Sequence, residues 1–336
     1  MIRRRLMAGL ALACAGLTLA ACNPKPAETK APIKELNFSI LSAENQASMQ
    51  PLWQPLLDEM SAQTGVKVKP FFASNYTSLI EAMRFNQVQV GWFSADPALE
   101  AVNRADAEVL GRVVDAGGDA TYKSVLIVRK GSGITLDDVL KCDKRLNFGL
   151  GDAQSTSGTL APMAYLFNPK GIDPAKCFKT VRSANHQSNL FSVANGVLDV
   201  ATNNSVGLLF AQRQNPKAAE KIEVIWTSPP LPESSILVRK DLDPAIKEKI
   251  RQFFLTYGTG TGPQADKQRE VLKGLAYGGF KPADDTYLDP VREMQAVRAL
   301  ADAQKTGDKT KISAAQADLD KIRATIAQKR AVEPDV

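Results

Sequence analysis

Apolar residues recur along this chain in short unbroken runs that alternate with longer stretches at helical spacing. Leu36 to Leu41 reads as a strand, Gln50 to Thr64 as a helix and Val66 to Phe72 as a strand. Ser74 to Phe85 then reads as a helix with Leu79, Ile80 and Met83 at helical spacing, and Val88 to Phe93 as a strand. A second series follows the extended stretch Tyr122 to Arg129. It runs through a strand at Leu146 to Leu150, a helix at Ser157 to Phe167, a strand at Phe178 to Val181, a helix at Ser188 to Asn195, and strands at Leu198 to Thr202 and Ile222 to Trp226. Ser235 to Arg239, again a strand, precedes the helix Pro244 to Tyr257. Such alternation implies parallel strands with crossover helices. Two βα series joined by two extended segments predict an α/β protein of two lobes with a double crossover. Ligands of such sheets lie beyond the carboxyl ends of strands, here between the lobes.

The expected division is 35–130 for the first part of lobe one, 131–228 for lobe two, 229–288 for the return, and 289–336 for a C-terminal helical extension. In that extension Val291, Met294, Val297, Ile312, Leu319, Ile322 and Ile326 form a candidate buried stripe on two helices broken at Thr306-Gly307-Asp308. A hairpin packed on the lobe or on itself fits the stripe, and so does a homodimer contact.

The first residues bear on location. Arg3, Arg4 and Arg5 precede an apolar segment from Leu6 to Leu19 that is short for a membrane span, and Leu19-Ala20-Ala21-Cys22 follows. This predicts a signal peptide over 1–21 and a Pro-containing tether over 22–34. The ending resembles the bacterial lipobox, which makes Cys22 the candidate for lipidation and the periplasm the expected location; simple cleavage with Cys22 incidental is the alternative. Removing 1–21 lowers Lys+Arg from 42 to 39 against 36 Asp+Glu, a formal +3. That charge, interspersed along the chain, is no nucleic-acid footprint. In the folded part only Cys142 and Cys177 remain, a disulfide candidate in an oxidising compartment, with two free buried thiols as the alternative.

The chemistry concentrates in Gly149-Leu150-Gly151-Asp152-Ala153-Gln154-Ser155-Thr156-Ser157-Gly158. A strand, a tight turn and a helix opening on consecutive hydroxyls suit an oxyanion, because first-turn N–H groups and short hydroxyls converge where the helix dipole is positive. Ser and Thr also favour helix starts without any ligand, so the stretch alone fits an ordinary N-cap. His186 is the only histidine. It has no second histidine for a metal site, and no Cys/His cluster supports a catalytic metal. Neither a G-x-S-x-G elbow nor a P-loop is present, so no enzyme or cofactor is expected; a secreted hydrolase using Ser155–Ser157 with His186 is the rival reading.

Several stretches together carry a family resemblance: Leu36-Asn37-Phe38-Ser39-Ile40, Gly65-Val66-Lys67-Val68, Phe71-Phe72-Ala73-Ser74-Asn75-Tyr76, Met83-Arg84-Phe85-Asn86, Ser124-Val125-Leu126-Ile127-Val128, Gly151 to Gly158, and Asp199-Val200-Ala201-Thr202-Asn203-Asn204. In order and spacing, from about Leu36 to Phe280, they resemble the phosphonate-binding periplasmic component of bacterial ABC transporters. The resemblance implies a type II periplasmic-binding-protein fold whose lobes close on a phosphonate, phosphite or phosphate and deliver it to a membrane permease. By motif it assigns Ser155, Thr156 and Ser157 to the oxyanion loop, Tyr76 and Tyr122 to the two site tyrosines, and His186 to the oxyanion-binding histidine.

The chain departs from relatives that take aminoalkyl phosphonates, where two carboxylates hold the ligand's ammonium. Val206 and Ser234 stand at the matching positions, and neither bears a charge. A small or uncharged-tail ligand is therefore expected, unless Glu233 replaces the missing acid from one position away. A periplasmic sensor module with the same ligand is the alternative to transport.

Overall fold

The computed structural model describes residues 33–332; the expected signal segment and the lipidation candidate Cys22 lie outside them. The chain begins with β1 (Glu35–Ile40), α1 (Gln46–Thr64), β2 (Lys67–Phe71), α2 (Tyr76–Arg84), β3 (Val90–Phe93), α3 (Ala95–Arg104) and β4 (Ala107–Val114). A short strand β5 (Thr121–Tyr122) leads to β6 (Ser124–Arg129), α4 (Leu136–Leu140), β7 (Asn147–Leu150) and two π-helical turns at Thr156–Leu160 and Met163–Phe167. Then come α5 (Pro174–Cys177), β8 (Thr180–Ser183), α6 (His186–Ala194), β9 (Val200–Asn204), α7 (Ser205–Gln214), α8 (Pro216–Ala219) and β10 (Ile222–Thr227). The return consists of β11 (Leu231–Pro232), β12 (Ser235–Arg239), α9 (Pro244–Thr256), α10 (Pro263–Gly274), β13 (Gly279–Pro282), α11 (Asp289–Thr306) and α12 (Lys309–Val332).

Each lobe is built on one sheet, six-stranded in the order β13-β4-β12-β3-β1-β2 and five-stranded in the order β10-β6-β9-β7-β8. The chain passes from one to the other at β5 and returns at β11, and these two crossings pair antiparallel with Leu231 opposite Tyr122. This is the double crossover that the pattern predicts. The expectation of parallel strands holds for β1 with β2 and β3, and for β7 with β8 and β9. It fails for the strands that crossings deliver, β12 being antiparallel to β3 and β4 and β6 to β9 and β10, and again at the sheet edge, where β13 is antiparallel to β4. Ser124–Arg129, assigned by the sequence to the first lobe within 35–130, pair in the second sheet instead. Val125 to Val128 are all buried, and a strand without a wet face needs a neighbour on each side, which β9 and β10 provide.

Aromatic rings fill both cores. Phe38 lies 5.4 Å from Trp53 and 6.2 Å from Phe254 in the first lobe, and Phe148 stacks on Phe178 at 4.3 Å in the second. Burying each such side chain contributes about 1.5–3 kcal/mol. Cys142 and Cys177 are joined by a disulfide, Cα to Cα 4.1 Å, at the edge of the second lobe. At the C-terminus α11 packs against α3 of the first lobe and against both π-turns of the second, with Val291 and Met294 buried, while α12 lies along α11. Gly307, at φ 69°, ends α11 where the break was expected. On α12 Leu319 is buried and Ile312, Ile322 and Ile326 are half-buried, so most of the expected stripe forms the hairpin seam.

Candidate functional site

The carboxyl ends of β1, β3, β7 and β9 converge on a cavity of about 50 Å³ between the lobes, room for a few ordered waters. Ala43, Glu44, Tyr76, Trp92, Ser94 and Tyr277 line it from the first lobe; Ser155, Ser157, His186, Asn204, Val206 and Phe210 line it from the second. Tyr122, Glu233 and Ser234 complete the wall from the crossings. Among the described residues that line it, none is lysine or arginine.

The loop from Gly149 to Gly158 takes its shape from Gly151 and Gly158. The Gly151 N–H donates to Gly158 O at 2.9 Å, and a Cβ on Gly151 would stand 2.5 Å from Gly158 Cα, so only glycines allow this approach. Thr202 Oγ1 also donates to Gly158 O at 2.7 Å, and Ser124 Oγ to Ser157 O at 2.5 Å. Ser124 draws Ser157 O out of the ordinary α-helical ladder, Pro162 has no N–H to offer Gly158 O, and the Ala161 N–H donates to Thr156 O instead, so the expected helix from Ser157 opens as a π-turn; such turns frequently sit at functional sites. Ser155 caps the turn by accepting from the Gly158 N–H at 3.0 Å. The Thr156 and Ser157 N–H groups, being in the first turn, have no partner in the turn's own ladder. The Ser155 hydroxyl thus acts as the N-cap that the sequence offered.

His186 opens α6, capped by Asn185, whose side chain accepts from the Ser188 N–H. Its Nε2 lies 3.5 Å from Ser155 Oγ and 3.4 Å from Ser157 Oγ, and its Nδ1 has no partner among the described residues. Burial pushes the imidazole down to about 4, leaving it neutral at pH 7 with one N–H to donate. Tyr76 opens α2, its hydroxyl in reach of Ser155; the Tyr122 hydroxyl is in reach of Ser157 and Thr156. Burial pushes both phenols above their ordinary value, so each stays a donor.

Thr156 points elsewhere. Its Oγ1 accepts from the Asp96 N–H at 2.8 Å and donates to Ser94 Oγ at 3.3 Å, fastening the second lobe to the start of α3 in the first. Further bonds close the lobes: the Tyr76 N–H donates to Asp152 Oδ2 at 3.2 Å, and the His186 N–H to Ala43 O at 3.1 Å. Asp96 itself is buried, accepts from Gln295 Nε2 of α11 at 2.7 Å, and is pushed up to about 7, chiefly by burial.

Val206 and Ser234 both line the cavity, and so does Glu233, whose Oε2 accepts from the Ser234 N–H at 2.6 Å. Cys142 and Cys177 do not reach the cavity. Glu44, Trp92, Asn204, Phe210 and Tyr277 were not singled out in the sequence. Ser94 stands at the N-cap position of α3 without a side-chain cap bond, and Asn204 caps α7 by accepting from the Gly207 N–H; the rule that ligands lie beyond strand carboxyl ends could have found both. Tyr277 follows the turn at Ala276, φ 64°, and no local pattern marks it.

Residues 38–288 match the family model described as "ABC transporter, phosphonate, periplasmic substrate-binding protein". The phosphonates-binding periplasmic protein of Escherichia coli (strain K12) is 38% identical over 321 residues, covering 93% of this chain and 93% of that one. A binding-protein component of an ABC phosphonate transporter from Pseudomonas aeruginosa, solved by crystallography, has 35% identity and a TM-score of 0.84, covering 89% of this chain and 100% of that one. At 22% identity a Prochlorococcus marinus (MIT 9301) protein solved with methylphosphonate agrees in fold, with a TM-score of 0.69 over 78% of this chain and 97% of its own. With its two sheets, paired crossings and interlobe cavity, the chain belongs to the periplasmic substrate-binding proteins of phosphonate ABC transporters.

Proposed function

We propose that this protein captures a compact phosphorus oxyanion of the phosphonate or phosphite type in the interlobe cavity and hands it to the permease of its importer. The observation that carries the reading is the convergence of Ser155, Ser157, His186, Tyr76 and Tyr122 on one small cavity with neutral donors throughout. Hydrogen bonds to a charged group contribute about 1.5–3 kcal/mol each, and first-turn amides add the positive end of a helix dipole. Trp92 lines the same cavity, with its Nε1 buried and without a partner among the described residues. Titration of tryptophan emission should therefore give a saturable change with methylphosphonate or phosphite. No change and no heat of binding for methylphosphonate, phosphite, phosphate or 2-aminoethylphosphonate would overturn the reading.

Binding proceeds without turnover. In a Ser-His-Asp triad a third group holds the histidine base, and His186 Nδ1 has no such partner among the described residues. Ligand recovered unchanged by phosphorus NMR after prolonged incubation is expected; any product would restore the hydrolase. The lobes move as two bodies about β5 and β11, so ligand should shrink the radius of gyration in solution scattering. For the mature chain the proposal includes a lipid on Cys22, tested by release of a Cys22→Ser protein from the membrane fraction; an equally membrane-bound variant counts against it. The hairpin of α11 and α12 is read as packing on its own lobe pair rather than as a dimer contact. An unchanged mass per particle, apart from the residues removed, after truncation at Pro290 is expected by light scattering, and a fall to half would establish the homodimer.

A further inference from the structure

Glu44 follows β1 in a first-lobe loop that crosses the cleft, and the oxyanion site does not use it. Its carboxyl is in hydrogen-bonding reach of the Gln187 N–H at the start of α6. Its Oε1 stands 3.3 Å from the place a Cβ on Gly207 would take, in the first turn of α7. A first-lobe acid is thus set against two second-lobe helix N-termini. The residue is 8% exposed and borders both the ligand cavity and a smaller one behind it. The same loop is fastened across the cleft by the Asn45 N–H, which donates to Gln187 Oε1 at 3.1 Å, and by Gln187 Nε2, which donates to Ser48 Oγ at 3.2 Å. Since these partners belong to the other lobe, separating the lobes returns the carboxyl to water.

The titratable groups that face it are Tyr76 on α2, neutral His186 on α6 and, across the cavity, Glu233 with Tyr122 and Tyr277. Neither cavity is lined by lysine or arginine among the described residues. Closing on an anion would therefore bring like charges together without a full counter-charge, and helix N-termini supply only a partial one. Val206 and Ser234 cannot serve as tail acids, but Glu44 reaches the same cavity from the opposite lobe.

We propose that Glu44 makes capture sensitive to the charge of the ligand's tail: on closure its carboxyl is matched by one positive charge, a cationic group of the ligand or, when the tail is neutral, a proton taken from solvent. The inference rests on the oxyanion site proposed above. The direction of titration agrees, because burial pushes the closed carboxyl up to about 8, so at pH 7 a carboxylate without a cation becomes the acid by gaining one proton.

Calorimetry at pH 7 in PIPES and in Tris, whose ionisation heats differ, counts protons taken up. Methylphosphonate should bring about one more proton into the unsubstituted protein than into Glu44→Gln, and 2-aminoethylphosphonate none more; the ligands' own protons cancel in that difference. Glu44→Gln should also weaken 2-aminoethylphosphonate at least about tenfold relative to methylphosphonate. Equal proton counts in the two proteins with methylphosphonate, or equal loss of affinity for both ligands, overturns the inference. Failure of the oxyanion site is a separate result, absence of heat with either ligand in the unsubstituted protein. Melting of the ligand-free variant checks its folding, and Glu44→Asp, which keeps an acid on a shorter arm, should retain the extra proton.

Discussion

Thr156→Val should weaken every ligand by the same factor. Thr156 is fully buried, and its hydroxyl faces the first turn of α3, accepting from the Asp96 N–H at 2.8 Å. Valine keeps the shape and leaves that amide without an acceptor, a cost of about 1–3 kcal/mol when the group is buried. The cost falls on the closed form only, because in the open form water reaches the amide. The dissociation constant should therefore rise roughly 5- to 150-fold, while the ligand-free melting temperature moves little. Calorimetry with methylphosphonate, phosphite and phosphate measures the factor for each, and Thr156→Ser should restore most of the affinity. A factor that differs widely among the ligands would mean that the hydroxyl touches the ligand itself. A lowered melting temperature with unchanged affinity would refute the closure argument altogether.

Gly151→Ala should abolish binding, since its Cβ would meet Gly158 Cα at 2.5 Å and displace the loop; retained affinity, measured by the same titration, would contradict that geometry. Replacing Cys142 and Cys177, 35 residues apart, by serine removes a cross-link that constrains the unfolded chain by about 3–4 kcal/mol, so the denaturation midpoint should drop while ligand affinity stays unchanged. Asp96 binds its proton more tightly folded (about 7) than in its ordinary state (3.8), so its contribution to stability is full below 3.8 and is lost as pH rises toward 7. Asp96→Asn should accordingly gain stability relative to the unsubstituted protein between pH 4 and 7, read from melting curves across that range. His186 titrates in the opposite sense: held near 4 against 6.5, it favours the folded state above pH 6.5 and loses that contribution as pH falls through 4, and His186→Gln should flatten this part of the profile.

The two-lobed architecture was legible because its strands are short, largely apolar stretches flanked by polar residues, as at Leu36–Leu41 and Ser235–Arg239. Strand direction was not. Whether β6 runs with or against β9 depends on where the crossing enters the sheet, a property of chain segments far apart in sequence. The loop from Gly149 to Gly158 was visible as chemistry, yet its π-turn depends partly on Ser124, distant in sequence, drawing Ser157 O outward, which no local pattern records, and partly on Pro162, whose missing N–H leaves Gly158 O to Thr202. Thr156 shows the limit of motif reasoning, since consecutive hydroxyls on a tight turn must point in different directions. Glu44 escaped notice for a related reason. An acid in a polar loop reads as solvated until the opposite lobe closes over it.

The pairing of β5 with β11 has a mechanical consequence. Two separate linkers would let the lobes twist and slide independently, whereas strands locked side by side in register, Leu231 beside Tyr122, must bend together. Rotation about one axis is then the soft coordinate, and shear between the lobes is stiff. Tyr122 lies on that axis and also in the wall of the cavity, so a ligand touching its hydroxyl acts at the pivot. A ligand that closes the lobes would thus act on a single bending motion rather than on two independent linkers.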